Sequence, residues 1–256
     1  MTLTQAFAQQ TNQHLNIYYT AGYPQLTSTL PILQHLQQHG ATMVEIGMPY
    51  SDPLADGTTI QQSSAIALQN GMSIAVLLQQ LKNCRNIISL PIILMGYLNP
   101  LLQYGFEKFC KQASIVGVNA LIIPDMPVHD FTSVYRNILL KYNLDLIFLI
   151  TPNTPVERVK LLDSLSTGFL YVVASNATTG TINTNNNVEI FLKKLKKLQL
   201  HNPLMVGFGI SNAASFHTVC KHTNGCIIGS AFINVLTNST PTTLGNTIKK
   251  FLTQFE

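Results

Sequence analysis

The stretches "VGFGIS" (206–211) and "IIGSAF" (227–232) each carry an apolar, strand-like run through glycine into the start of a helical pattern. Backbone N–H groups at such a turn, helped by the helix dipole, hold a phosphate without any Lys or Arg. A single GxG serves equally well as a plain tight turn. Two such turns after the seventh and eighth strand candidates match the place where an α/β barrel binds phosphate. A doubly wound open sheet would carry its glycine-rich loop after the first strand, where only "TAGYP" (20–24) stands.

Working outward, short apolar and β-branched runs alternate with amphipathic helical patterns along the chain. The strand candidates are "NIYYT" (16–20), "TMVEI" (42–46), "PIILM" (91–95), "ALIIP" (120–124), "LIFLI" (146–150), "FLYVV" (169–173), "LMVGF" (204–208) and "CIIGS" (226–230). Between them lie helix-length segments such as "STLPILQHLQQHG" (28–40), where Leu30, Leu33 and Leu36 share a face and Gly40 closes the C-terminus. Eight strand–helix units in 256 residues predict a TIM (β/α)8 barrel with an extra N-terminal helix. No linker or low-complexity tract interrupts the series, so residues 1–256 read as a single domain.

Charged residues are only 10% of the chain against a usual share of about a quarter, while 46% are hydrophobic. Asn, Gln, Ser and Thr must therefore supply most of the polar surface, and the apolar content excludes disorder. The +4 formal charge comes from scattered lysines, with one dense run at "LKKLKKLQL" (192–200) that fits a solvated helix face better than a nucleic-acid surface. Cys84, Cys110, Cys220 and Cys226 form no CxxC pair and lack a flanking His at metal-ligand spacing, so buried reduced thiols are expected. The opening "MTLTQAFAQQTNQHLN" has no basic start and apolar core, and no apolar run is long enough to span a membrane. The expectation is a soluble, cytoplasmic protein with neither a nucleic-acid nor a membrane role.

Barrel enzymes carry their reacting groups at the C-terminal ends of the strands. Of eleven acidic residues, Glu45 lies within the second strand, Asp52 and Asp56 in the loop after it, and Asp125 after the fourth. In "VEIGMPYSDPLADG" (44–57) Glu45 alternates with Met43 and Gly47, while Val44 and Ile46 face the other way. If the apolar pair packs on the helices, Glu45 points into the barrel, where desolvation raises its pKa towards neutrality and suits it to give and take a proton. Asp52, in "SDP", fits a turn-making side chain. Asp56 before Gly57 is either a turn residue or a reactive group on a loop able to fold over the mouth. No lysine at a strand end offers a Schiff base, and no His cluster offers a metal site. Carbon–carbon chemistry here would run on carboxylates alone.

With these residues in view, the chain resembles the α subunit family of tryptophan synthase over nearly its whole length. "VEIGMPYSDPLADGTTIQ" (44–61) is similar to that family's signature, and "TAGYP", "NPLLQYG", "IIPDMP", "TTG", "GFGIS" and "GSA" follow in family order. The resemblance implies a TIM barrel that cleaves indole-3-glycerol phosphate to indole and glyceraldehyde 3-phosphate by a retro-aldol reaction. It implies Glu45 as acid and base, protonating C3 of the indole and deprotonating the side-chain hydroxyl, and Asp56 as hydrogen-bond partner of the indole N–H. It further suggests Gly180, Phe208, Gly209, Gly229 and Ser230 for the substrate phosphate, Thr179 as a partner of Asp56 on loop closure, and Tyr97 and Tyr171 for the wall around the indole. No cofactor of its own is implied, pyridoxal phosphate being expected only on a partner β subunit in an α2β2 heterotetramer. Thr58 stands where many members have Pro, Ser175 where Arg is frequent and Ala177 where Gly is, which bears on loop closure and on signalling to a partner. The small, polar composition of "ASNATTGTINTNNN" (174–187) predicts a mobile loop at the barrel mouth. Two other roles fit the same fold: a stand-alone lyase that releases free indole, and a feeble barrel kept as an activator of the β subunit. Intact Glu45 and Asp56 argue against the latter.

Overall fold

The computed structural model describes residues 1–10, 13–173, 185–207, 209–210 and 212–255, the side chains of 185–187 excepted. Strand β1 spans His14–Thr20, β2 Met43–Gly47, β3 Ile92–Met95, β4 Ala120–Ile122, β5 Asp145–Ile147, β6 Leu149–Ile150, β7 Leu170–Val173, β8 Leu204–Gly207 and β9 Gly225–Ile228. All pair in parallel, in the order β5-β4-β3-β2-β1-β9-β8-β7-β6. The two ends of that order, β5 and β6, are one run of chain interrupted only at Phe148. The run therefore pairs with β4 on one side and β7 on the other, and closes the sheet into the expected barrel. Phe148 explains the interruption: its N–H turns to the Ser166 hydroxyl (3.2 Å) while its carbonyl still accepts the Tyr171 N–H (3.0 Å).

Parallel neighbours need crossover connections, and the intervening helices cover the outside of the barrel. Leu15, Ile17 and Tyr19 of β1 and Val44 and Ile46 of β2 join the outer core between strands and helices. Tyr18, Met43, Ile93, Ile122, Phe169 and Met205 belong to a second cluster inside the barrel. The alternation anticipated for Glu45 holds, because a strand turns successive side chains to opposite faces. The helix expected over 28–40 runs Thr29–Gln38 and buries Ile32, Leu33 and Leu36, with Leu30 only partly covered. Gly40 follows it at φ +97°, and Ala41 N–H returns to the Leu36 carbonyl (3.1 Å), the bond by which a left-handed glycine ends a helix.

The predicted N-terminal helix is Leu3–Gln9, capped by Thr2 and Gln5 in reciprocal side-chain to backbone bonds. Leu3 and Phe7 enter the inner cluster, and the Phe7 ring meets His14 (4.5 Å) and Phe169 (6.2 Å) edge-on. His14 begins β1 and Phe169 immediately precedes β7, so this helix stoppers the N-terminal end of the barrel. The C-terminal mouth is left as the open end. All four cysteines are free and buried, with Cys220 and Cys226 Sγ 3.7 Å apart. Among the described residues no helix is long and apolar enough to cross a membrane.

Candidate active site

Glu45 is fully buried within the barrel, level with Tyr18 of β1 and Ile93 of β3. Its Oε2 accepts a hydrogen bond from the Asn16 side-chain amide (3.3 Å), and its Oε1 has no hydrogen-bond partner among the described residues. Burial pushes the carboxyl up to about 8; the Asn16 bond opposes that, and the Asp56 charge adds to it. At neutral pH this group is mostly protonated, an acid whose conjugate base lies within reach.

Asp56 comes from the loop between β2 and the helix Thr58–Gln69. Its N–H is held by the Pro53 carbonyl (3.2 Å), and its own carbonyl accepts from the Gln61 amide (2.9 Å). The Tyr97 hydroxyl donates to Asp56 Oδ2 (3.0 Å) and accepts the Ala55 N–H (3.0 Å), fixing both ends of the turn. Burial raises Asp56 to about 6, against the pull of the Tyr97 bond.

Both carboxyls line one cavity of about 260 Å³, walled by Tyr18, Tyr171, Met95 and Ile60. Gly209, Gly229 and Ser230 line it as well, so the two glycine turns that decided the fold reach the cavity of the two acids. Gly209 sits at φ +78°, a left-handed conformation suited to glycine. Ser230 opens the helix Ser230–Leu236, whose first N–H groups have no partner within the helix. Gly47 and Gly207 are needed for another reason: a Cβ on either would stand 2.1 Å from the hydroxyl oxygen of Tyr18 or Tyr171. Glycine there leaves room for two phenols inside the mouth.

Tyr97 borders a neighbouring pocket of about 290 Å³ with Tyr50, Leu54 and Asp125, and its hydroxyl joins it to Asp56. Asp52 is exposed and accepts from the Ser51 hydroxyl (2.5 Å), as a turn residue does. Asp125 accepts the Leu98 N–H on both oxygens (2.9 and 3.2 Å) and ties two loops together. Thr179, Gly180 and Phe208, together with Ser175, Ala177 and the loop expected to be mobile, lie outside the described residues, apart from 185–187 at that loop's end. The same period-two reading that placed Glu45 would have found Asn16 and Tyr18, which share the inward face of "HLNIYYT" (14–20). No such signal singles out Met95, Ile60 or Ile210. Among the described residues no three His, Cys, Asp or Glu side chains stand together where they could hold a metal.

The arrangement offers a neutral acid, a partly ionised carboxylate, an apolar wall and a set of backbone donors around one cavity. Residues 4–255 match the model of the family described as "Tryptophan synthase alpha chain". The tryptophan synthase alpha chain of Flavobacterium johnsoniae is 48% identical over 232 residues, covering 90% of this chain and 92% of its own. That of Bacteroides thetaiotaomicron is 45% identical over 235 residues, covering 91% and 92%. The solved tryptophan synthase A-subunit of the hyperthermophile Pyrococcus furiosus superposes with a TM-score of 0.84 at 34% identity, over 94% of this chain and 97% of that one. With family model, relatives and fold in agreement over nearly the full length, the chain belongs to the tryptophan synthase alpha chain family.

Proposed function

We propose that this lyase, whose family reaction cleaves indole-3-glycerol phosphate, works through Glu45 as its acid and base and Asp56 as the partner of the indole ring. The observation that carries the reading is that both carboxyls and both glycine turns face one cavity. In its resting, protonated form Glu45 gives a proton to C3 of the indole, and positive charge develops on the ring nitrogen. Asp56, ionised, accepts the ring N–H and stabilises that charge. The Glu45 carboxylate then takes the proton of the side-chain hydroxyl adjoining the ring. The carbon–carbon bond breaks, its electrons return to the ring as indole, and the hydroxyl carbon becomes the aldehyde of glyceraldehyde 3-phosphate. Glu45 ends as it began, so no outside proton is consumed. A carboxyl held near 8 suits both halves of that exchange.

The phosphate is held by backbone N–H groups of Gly209, Gly229 and Ser230, together with Gly180 and Phe208, while Tyr171 and Tyr18 bound the ring. Thr179 meets Asp56 when the loops close. The chain acts in the cytoplasm as one domain without a cofactor of its own. Its partner is a β subunit carrying pyridoxal phosphate, in an α2β2 heterotetramer. The exposed Leu54 side chain, two residues from Asp56, supports a docking site at the mouth. The direct test is indole release from indole-3-glycerol phosphate by the wild type and by Glu45→Gln. Near-equal turnover would remove Glu45 from the reaction.

A further inference from the structure

We propose that Asn16 is a positioning residue for Glu45: its side-chain amide donates to Oε2, which stays an acceptor in the ionised and the protonated form alike, and leaves Oε1 to face the substrate and carry the proton. The inference rests on Glu45 being the acid–base group. Asn16 is a polar residue with no exposed surface beside the apolar cluster inside the barrel, and its Nδ2 reaches Glu45 Oε2 at 3.3 Å. Its own Oδ1 and the Glu45 Oε1 are both buried without a hydrogen-bond partner among the described residues. A buried acceptor left unpaired is costly, so an Asn kept here must return something.

The amide donates to Oε2 whether Glu45 is ionised or carries its proton on Oε1, because Oε2 accepts in both forms. One neutral side chain can therefore serve the carboxylate and the carboxyl alike. Lys or Arg at this position would hold Glu45 permanently ionised, and an apolar residue would leave both its oxygens unpaired. Because the partner contacts Oε2, Oε1 is the oxygen free to exchange protons. The other titratable groups facing Glu45 are Tyr18 on β1, Asp56 on the loop after β2 and Tyr171 on β7. The bond from Asn16 is the one that favours the ionised form.

Full-length Asn16→Leu and Asn16→Asp variants, assayed for indole release across pH 5–10, test this. Leucine removes the donor and aspartate adds a like charge, so both favour protonated Glu45. The limb of the kcat profile governed by Glu45 is expected to move to higher pH, further for aspartate than for leucine. For Asn16→Leu, kcat near pH 7 is expected to fall about tenfold, with KM within about twofold because no phosphate contact is touched. Lower thermal stability with an unmoved pH limb would reduce Asn16 to packing and overturn the proposal. Should neither variant fold, the Asn16 amide resonance of the wild type is followed by NMR. It is expected to titrate with the Glu45 midpoint and to lose that inflection in Glu45→Gln, and a pH-independent amide would overturn the proposal. If Glu45→Gln turns over normally, the acid–base reading fails first, a different result from either outcome at Asn16.

Discussion

At the scale of single residues the same burial serves chemistry and weakens the fold. The Glu45 carboxyl has an ordinary value of 4.5 and is raised to about 8 in the folded protein. Between those values the native state holds a proton that the unfolded chain has released, so stability falls as pH rises through that window. Glu45→Gln abolishes the dependence. The variant is expected to lose at least about a hundredfold in turnover, yet to gain on the wild type from pH 5 to pH 8.5, reaching a few kcal/mol. Urea denaturation at the two pH values reads this directly, and parallel losses in both proteins would show that Glu45 is not held protonated. Tyr97→Phe tests the other acid. Losing the hydroxyl raises Asp56, because that bond favours its ionised form, and frees the Ala55 N–H. An acid limb that depends on ionised Asp56 should then move to higher pH, with about a tenfold loss of kcat/KM at pH 6. An unchanged profile would separate Tyr97 from the reaction.

At the scale of elements, period-two alternation made the strands legible, and with them Glu45, because one buried carboxylate in an apolar run has few explanations. Register and interruption were not legible. Nothing in "LIFLI" says that Phe148 gives its N–H to Ser166, since that bond depends on a loop eighteen residues ahead. Family order gives the neighbourhood of Tyr97 but not its side-chain direction. Its ring lies tilted against that of Tyr50, 5.4 Å between centroids, and its hydroxyl bonds Asp56. Asn16 is legible only through its alternation with Tyr18, because a polar residue in a first strand otherwise reads as an exposed position. The glycine turns make a sharper test. Gly209→Val places a β-branched side chain at φ +78°, costing about 1–2 kcal/mol, and fills space at the cavity edge. Glycerol 3-phosphate is expected to bind at least tenfold more weakly by calorimetry, while an indole analogue without phosphate keeps its affinity. Equal losses for both ligands would mean collapse of the pocket instead of loss of a phosphate site.

For the whole molecule, the stopper at one end of the barrel dictates what happens at the other. The helix Leu3–Gln9 closes the N-terminal end, so substrate enters and indole leaves by the mouth, past the loop that carries Asp56. Indole is small, apolar and membrane-permeant, and a partner seated on that mouth would receive it without loss to solvent. Leu54 stands on this loop with 91% of its surface exposed, the most exposed of the large apolar side chains described. A partner that covers this side chain would remove its apolar surface from water. A β subunit that binds the closed loop better than the open one shifts the loop towards closure. By reciprocity a ligand in the barrel tightens the β subunit's grip by the same factor. Mixing with the cognate β subunit is therefore expected to give a complex by analytical ultracentrifugation and faster indole release than the chain alone. Leu54→Ser should weaken that complex at least tenfold, since a buried leucine contributes about 2 kcal/mol at such a contact. Turnover of the isolated variant should stay within about twofold of the wild type, because Leu54 does not line the cavity of the two carboxyls. A chain that forms no complex and is already fast alone would instead be a lyase that releases free indole, and Leu54 would then be an exposed side chain without a role.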